Sequence, residues 1–196
     1  GMTRLKKGID KQAIFDESEK LLENVGIDRF SLRELSRRLG IKPASLYNHI
    51  SGIEEIYKYL SKRASDGMKN TLLEAMKDKP ADEAFVAGAF AYRRFAEQNH
   101  ELYLVLIRAR SSKDEETIKL GFESFAPIRE LIKSYGIPKE KFLHFIRSFR
   151  AFLHGFVEIT HNGFMQKGSA PKDETFLTAV NVFLKILKEE SNGAEV

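Results

Sequence analysis

Lys42, Ser45, Tyr47, Asn48 and His49 surround a single apolar residue, Leu46, within eight positions. A cation, a hydroxyl, a phenol, an amide and an imidazole so closely spaced are hydrogen-bonding groups suited to phosphate oxygens and base edges. That is more polar reach than so short a helix needs merely to fold. The competing reading packs Tyr47 and His49 inside their own domain with the phenol oxygen wet, and leaves Lys42 as a solvated lysine.

A second set lies far along the chain. Arg147, Arg150, His154, Glu158 and His161 recur at three- and four-residue steps, which on a helix makes a polar stripe about 80° wide. It lies opposite a face of Phe142, Phe145, Ile146, Phe149, Phe152, Leu153 and Phe156. Three uses compete: a solvated or partner-facing stripe with internal Arg–His and His–Glu contacts, the polar wall of an effector pocket, or part of a di-metal site. The metal reading rests on Glu158-Ile-Thr-His161 and Glu97-Gln-Asn-His100, both Glu-x-x-His. Both copies fall at predicted helix ends, whereas bundle metal sites need ligands at mid-helix. No phosphate-cradling glycine loop and no nucleophile-elbow serine is present. The sequence therefore predicts no enzyme, no cofactor and no resident metal.

The first set needs a rigid mount, and Ser31 to Ile50 has the punctuation of one. Ser31 suits an N-cap, with Glu34 completing a capping box, and it is counted with the DNA-facing residues. Leu32, Leu35 and Leu39 form one apolar stripe. Gly40 suits a left-handed helix end, Ile41 plugs the angle, and Pro43 suits the first turn of a second helix. This is the pattern of a helix-turn-helix. A preceding helix from about Asp10 to Asn24, ended by Gly26, offers Ile14, Leu21, Leu22 and Val25, and Ile27 and Phe30 anchor the loop.

Charge is located beside this motif. The net charge is +4, and residues 1–70 hold 14 Lys+Arg against 10 Asp+Glu, while the remainder balances at 18 of each. A local basic excess attracts phosphate backbone; Thr3 to Gly8, with Arg4, Lys6 and Lys7, reads as a mobile basic arm. There is no Cys, the hydrophobic fraction is 42%, and no apolar run reaches the roughly 20 residues of a membrane helix. With no leader pattern at the start, a cytoplasmic protein is expected.

Beyond the motif, Ile53 opens a long helix to about Lys77, with Glu54 and Glu55 in its first turn. Further helices are expected at 81–98, 101–111, 113–134 with a kink at Pro127, 138–162 and 173–190, with a disordered tail after Glu190. The fold class is all-α: a three-helix head at 1–52, a connecting helix at 53–79 and a larger bundle at 80–196. The last helix is apolar nearly all round, which predicts a homodimer through the last two helices. The bundle interior is expected to take a small molecule among Phe85, Tyr92, Tyr103, Phe122, Phe125, Arg147, Arg150 and His154, the two arginines suiting a carboxylate.

Residues 9–60 resemble the tetracycline-repressor (TetR) family of transcriptional regulators. Ser31-Leu32-Arg33-Glu34-Leu35-Ser36-Arg37-Arg38-Leu39-Gly40-Ile41 is similar to that family's second helix and turn. Ala44-Ser45-Leu46-Tyr47-Asn48-His49-Ile50 is similar to its recognition helix with the Tyr-x-His hallmark. Arg150-Ala151-Phe152-Leu153-His154-Gly155-Phe156 resembles a His-Gly motif of one subgroup. The resemblance implies a homodimer whose heads occupy successive major grooves of a palindromic operator, with a small-molecule effector site in each larger domain. It also implies that Tyr47 and His49 donate to phosphate, that Lys42, Ser45 and Asn48 reach base edges, and that Pro43 and Ala44 permit close approach of the helix start. It departs where Ile53 replaces the lysine usual at the start of the fourth helix, and where Ile50 replaces an aromatic. Two other classes stay open at this point: a di-metal enzyme, and a helical module that binds protein.

Overall fold

The computed structural model describes residues 9–168 and 170–193, so the basic arm at Thr3 to Gly8 lies outside the described residues. The elements are α1 (Lys11–Val25), α2 (Leu32–Leu39), α3 (Pro43–Leu46), α4 (Ile53–Met76), α5 (Ala81–Gln98), α6 (His100–Arg108), a 3-10 turn (Ala109–Ser111), α7 (Glu115–Glu123), α8 (Ala126–Ser134), α9 (Lys139–His161) and α10 (Lys172–Gly193). Among the described residues there is no strand, and no helix is long and apolar enough to cross a membrane. By packing, the chain forms two units, Gly1–Asp66 with Asn99–Glu123 and Gly67–Gln98 with Ser124–Val196.

The first unit has one core. Asp10 caps α1 by accepting the Ala13 N–H at 2.8 Å, and the helix then buries Ile14, Leu21 and Leu22. These meet Leu35 of α2, Leu46 of α3 and Ile50, together with Ile56 and Leu60 of α4 and Val105 of α6. Each fully buried Leu or Ile contributes about 1.5–3 kcal/mol. The head is therefore not closed by three helices alone: the start of α4, and Val105 of α6 with Leu102 and Leu104 beside it, complete it. Polar ties reinforce the packing. Tyr59 Oη donates to Glu19 Oε1 at 2.9 Å while its ring stacks on Phe15 at 4.3 Å, and Arg38 Nε donates to Glu17 at 2.7 Å.

The second unit is built on phenylalanine. Phe85 of α5 stacks on Phe149 of α9 at 4.7 Å, and Phe183 of α10 meets Phe149 edge-on at 5.2 Å. Phe176 of α10 contacts Phe90 at 4.9 Å and Phe156 at 4.9 Å. Offset and edge-on pairs of this kind add about 0.5–1.5 kcal/mol each beyond area burial. Gly67 is required by a further ring of this unit, because a Cβ there would lie 2.7 Å from the Phe95 ring.

Three expectations are corrected. The helix expected at 113–134 is two helices, α7 and α8, separated at Ser124 and Phe125. Pro127 sits in the first turn of α8, where its missing N–H costs nothing, so it starts a helix instead of kinking one. The expected helix at 101–111 ends its regular part at Arg108 and tightens into the 3-10 turn. The tail is ordered further than Glu190: α10 continues to Gly193, and Ser191 Oγ donates to the Tyr135 carbonyl at 2.6 Å.

Candidate nucleic-acid interface

The motif is held by its caps. Ser31 Oγ accepts the Glu34 N–H at 3.2 Å, and the Glu34 carboxylate holds Arg37 Nη2 at 2.8 Å. Gly40 ends α2 at φ 69°, ψ 29°, the left-handed conformation that a Cβ disfavours. From there Ile41 N–H donates to the Ser36 carbonyl at 3.0 Å, closing the turn. α3 is one regular turn, shorter than the stretch to His49 that the sequence suggested. It continues as tight turns in which His49 N–H and Ile50 N–H both donate to the Leu46 carbonyl, at 2.9 and 3.0 Å.

Leu46 is fully buried and Ile50 nearly so, which pins this stretch and turns its polar residues outward. Lys42, Pro43, Ala44, Asn48 and His49 are exposed, and Ser31 and Ser45 are half-buried. Tyr47 is 58% exposed, so neither Tyr47 nor His49 is packed inside the head. A large aromatic is thus left in solvent near an exposed lysine, amide and imidazole.

The start of α4 is fixed by a group whose role the sequence did not reveal. Glu55 reaches back so that Ser51 N–H donates to Oε2 at 2.8 Å, and the same carboxylate pairs with Lys11 of α1. Lys11, and then the Ser51 N–H, hold the Glu55 carboxyl below its ordinary range. Ile53 packs half-buried against the core of the head.

The residues expected to face a small molecule are dispersed. Tyr92 and Phe125 are buried and meet edge-on at 5.9 Å, and the Arg150 guanidinium lies 5.1 Å from the centre of the Phe125 ring. Phe85 belongs to the phenylalanine core, His154 is half-buried and Arg147 is exposed. Tyr103 and Phe122 belong to the first unit, the one fully buried and the other 48% exposed.

Of the Glu-x-x-His residues, Glu97 is engaged by Arg93 Nε at 2.7 Å. Among the described residues no group of three or more His, Cys, Asp or Glu is placed to hold a metal ion. Arg93 itself was not foreseen. It is almost wholly buried, its Nη1 lies 2.8 Å from Asp173, and its guanidinium sits over the rings of Phe156 and Phe176. The one local signal was Glu97 four residues on.

Residues 14–60 match the family model of bacterial regulatory proteins of the tetR family, and residues 85–183 match the tetracyclin repressor-like C-terminal domain. The chain is 28% identical over 151 residues to the uncharacterised HTH-type transcriptional regulator YobS of Bacillus subtilis (strain 168), covering 76% of this chain and 78% of that one. Two solved structures share the fold. A protein of unknown function from Rhodococcus sp. RHA1 has a TM-score of 0.74 at 21% identity, over 95% of this chain and 99% of that one. The TetR family transcriptional regulator PfmR from Thermus thermophilus has a TM-score of 0.61 at 22% identity, over 88% and 97%. With an exposed helix-turn-helix and both halves matched, the chain belongs to the TetR family: it is a DNA-binding transcriptional regulator and not an enzyme.

Proposed function

We propose that this regulator is a cytoplasmic repressor that holds a palindromic operator as a homodimer and is released from it by a small-molecule effector. The observation that carries the reading is the outward-facing set on and after α3, where Lys42, Tyr47, Asn48 and His49 are exposed around the buried Leu46. In this division of labour residues 1–52 bind DNA, 53–79 connect, and 80–196 take the effector and dimerise. Tyr47 and His49, with Ser31, anchor phosphates; Lys42, Ser45 and Asn48 face bases; Pro43 and Ala44 allow close approach.

Dimerisation through α9 and α10 is supported by apolar side chains left on their surfaces. Leu143 and Ile159 on α9 and Val182 and Ile186 on α10 are exposed, an arrangement that a two-fold partner would cover. The effector reading is supported by Arg150 over the Phe125 ring, which in turn meets Tyr92. A ligand that binds better at one head separation shifts the population through α4.

Selection from random duplexes at low salt tests the reading. Enrichment of a two-fold symmetric sequence by folded dimer is the expected result, and no enrichment overturns it. Release is tested by adding carboxylate metabolites to the complex: loss of operator affinity that vanishes in Arg150→Gln is expected, and no released complex across the panel removes the effector.

A further inference from the structure

We propose that a cavity of about 280 Å³ in the first unit, where α4, α6, the 3-10 turn and α7 meet the loop after α1, binds a small zwitterion with one carboxylate and one ammonium group. None of the eight effector residues named above lines it, so it is a separate site. Its walls are chemically mixed. Ile27, Val105 and Ala109 give an apolar strip for a short aliphatic body, while Glu54, Arg108, Tyr57, Ser61 and Ser112 give charge and hydroxyls.

Ser61 is the first sign of a ligand. It is 1% exposed and lines the cavity, so a ligand held there is placed to meet its hydroxyl. A ligand oxygen or nitrogen in the cavity can hydrogen-bond to this hydroxyl, which both donates and accepts. Ser112 Oγ accepts the Asp114 N–H at 3.1 Å, which leaves its proton to donate.

The charges give the second sign. Glu54 and Arg108 both act on the Tyr57 phenol: burial and Glu54 push it up, and Arg108 pulls it down. Glu54, Arg108 and Tyr57 all line the cavity, so one carboxylate, one guanidinium and one phenol border a single space sized for a small metabolite. Arg108 spends Nη1 on Asp28 at 3.0 Å and can take a ligand carboxylate through its other N–H groups. Glu54 suits an ammonium.

Occupancy bears on DNA binding. Ile27 and Val105 belong to the same core that buries Leu46, so a ligand resting on them touches the packing that mounts the recognition helix. This coupling rests on the operator reading, but binding itself does not.

The test is titration of the uniformly ¹⁵N-labelled full chain with L-norvaline, with valerate and butylamine as single-charge analogues and xylitol as an uncharged control. Saturable shifts of the Ser61, Ser112 and Thr117 amides by norvaline, at least about tenfold tighter than by valerate or butylamine, are expected. Glu54→Gln, an exposed position that leaves the fold intact, should erase the preference of norvaline over valerate. Ser61→Ala should weaken norvaline about threefold or more, and Arg150→Gln should leave it unchanged. The proposal is overturned if norvaline gives no saturable shift, if xylitol or valerate binds equally well, if Glu54→Gln binds like the parent, or if Arg150→Gln abolishes binding.

Discussion

The Ile27 N–H donates to the Glu101 carboxylate across 2.8 Å, joining the loop that precedes the helix-turn-helix to the first turn of α6. At the other end of α6, Arg108 Nη1 meets Asp28 Oδ1 at 3.0 Å. Between them Val105 enters the core of the head. Two polar ties and one apolar plug thus bind α6 to the loop after α1, and any displacement of α6 must be taken up by that loop. Removing the part-buried acceptor leaves a backbone donor unsatisfied, so Glu101→Ala should lose about 1–3 kcal/mol of stability. Glu101→Gln, which keeps a carbonyl oxygen, should lose markedly less. Urea midpoints of the two variants check the difference.

The exposed set after Leu46 divides into charge and readout, and the two are separable by salt. Lys42→Ala should weaken binding of the selected operator and lower the slope of log affinity against log salt by about one if Lys42 also neutralises a phosphate, and leave the slope unchanged if it reads only bases. Asn48→Ala should leave the slope unchanged and relax preference at one base pair by about 1–3 kcal/mol. Binding measured at three salt concentrations on the operator and on its single-base variants distinguishes these outcomes.

Arg93 links α5 to α10 as a buried cation. Its partners remain hydrated on their far sides, with side-chain exposures of 39% for Glu97 and 72% for Asp173, so truncating it does not strand a buried carboxylate. The loss is of cation–π contact and packing, and Arg93→Met should destabilise by about 1–2 kcal/mol. Arg93→Lys should not restore the parent, because an ammonium cannot serve both carboxylates and both rings from one plane. Thermal melts of the pair, measured at equal protein concentration, check the ranking.

Local chemistry was legible in the sequence wherever one residue type answers one backbone demand. Ser31, Gly40 and Pro43 announced their caps and turn, and the Phe spacing from Phe142 to Phe156 announced a buried helix face. What was not legible depends on contacts far apart in the chain. Glu101 looks like an ordinary first-turn acid until Ile27 is found beside it, and Arg93 looks like a surface arginine until Asp173 arrives from α10. Pro127 was ambiguous for the opposite reason: a proline inside an apolar pattern fits a kink or a start equally well. The helix-turn-helix was the most readable element, because its caps and turn are local, although the burial of Leu46 draws on α1, α4 and Val105 of α6. The bundle residues were the least, since core Phe and ligand-facing Phe share one spacing.

Asp82 accepts Tyr135 Oη at 2.6 Å and pairs with Lys188 at 2.8 Å, which makes one contact sensitive at both ends of the pH scale. Lys188, and then Tyr135, hold the Asp82 carboxyl below its ordinary value of 3.8. Its contribution is present above that value and is lost as pH falls through the lower folded one. Burial, and then Asp82, raise the Tyr135 phenol above its ordinary 10.0. That contribution is full below 10.0 and is lost as pH rises from there toward the folded value. Tyr135→Phe should flatten the fall in Tm above pH 10, and Asp82→Asn should flatten the fall below pH 4. The exposed Lys188 contact is largely screened, so Lys188→Gln should move Tm at neutral pH by no more than about 1–2 °C.

Ile53 is the position at which this chain departs from the lysine its resemblance would place there, and the structure gives the reason the exchange is tolerated. The side chain packs half-buried against the core that holds Leu46 and Ile50, while the start of α4 is fixed by Glu55 through Ser51 and Lys11. Where the resemblance implies a phosphate contact, this chain has apolar packing. Ile53→Lys should therefore reverse the exchange: it should lower stability by about 1 kcal/mol through lost packing, tempered because a lysine stem covers part of the same surface. It should raise operator affinity at low salt and steepen the salt slope by about one. Both effects are read on one preparation, by urea denaturation and by operator titration. A variant that loses stability without any change in slope would place residue 53 away from the DNA backbone, leaving Tyr47 and His49 as the anchors.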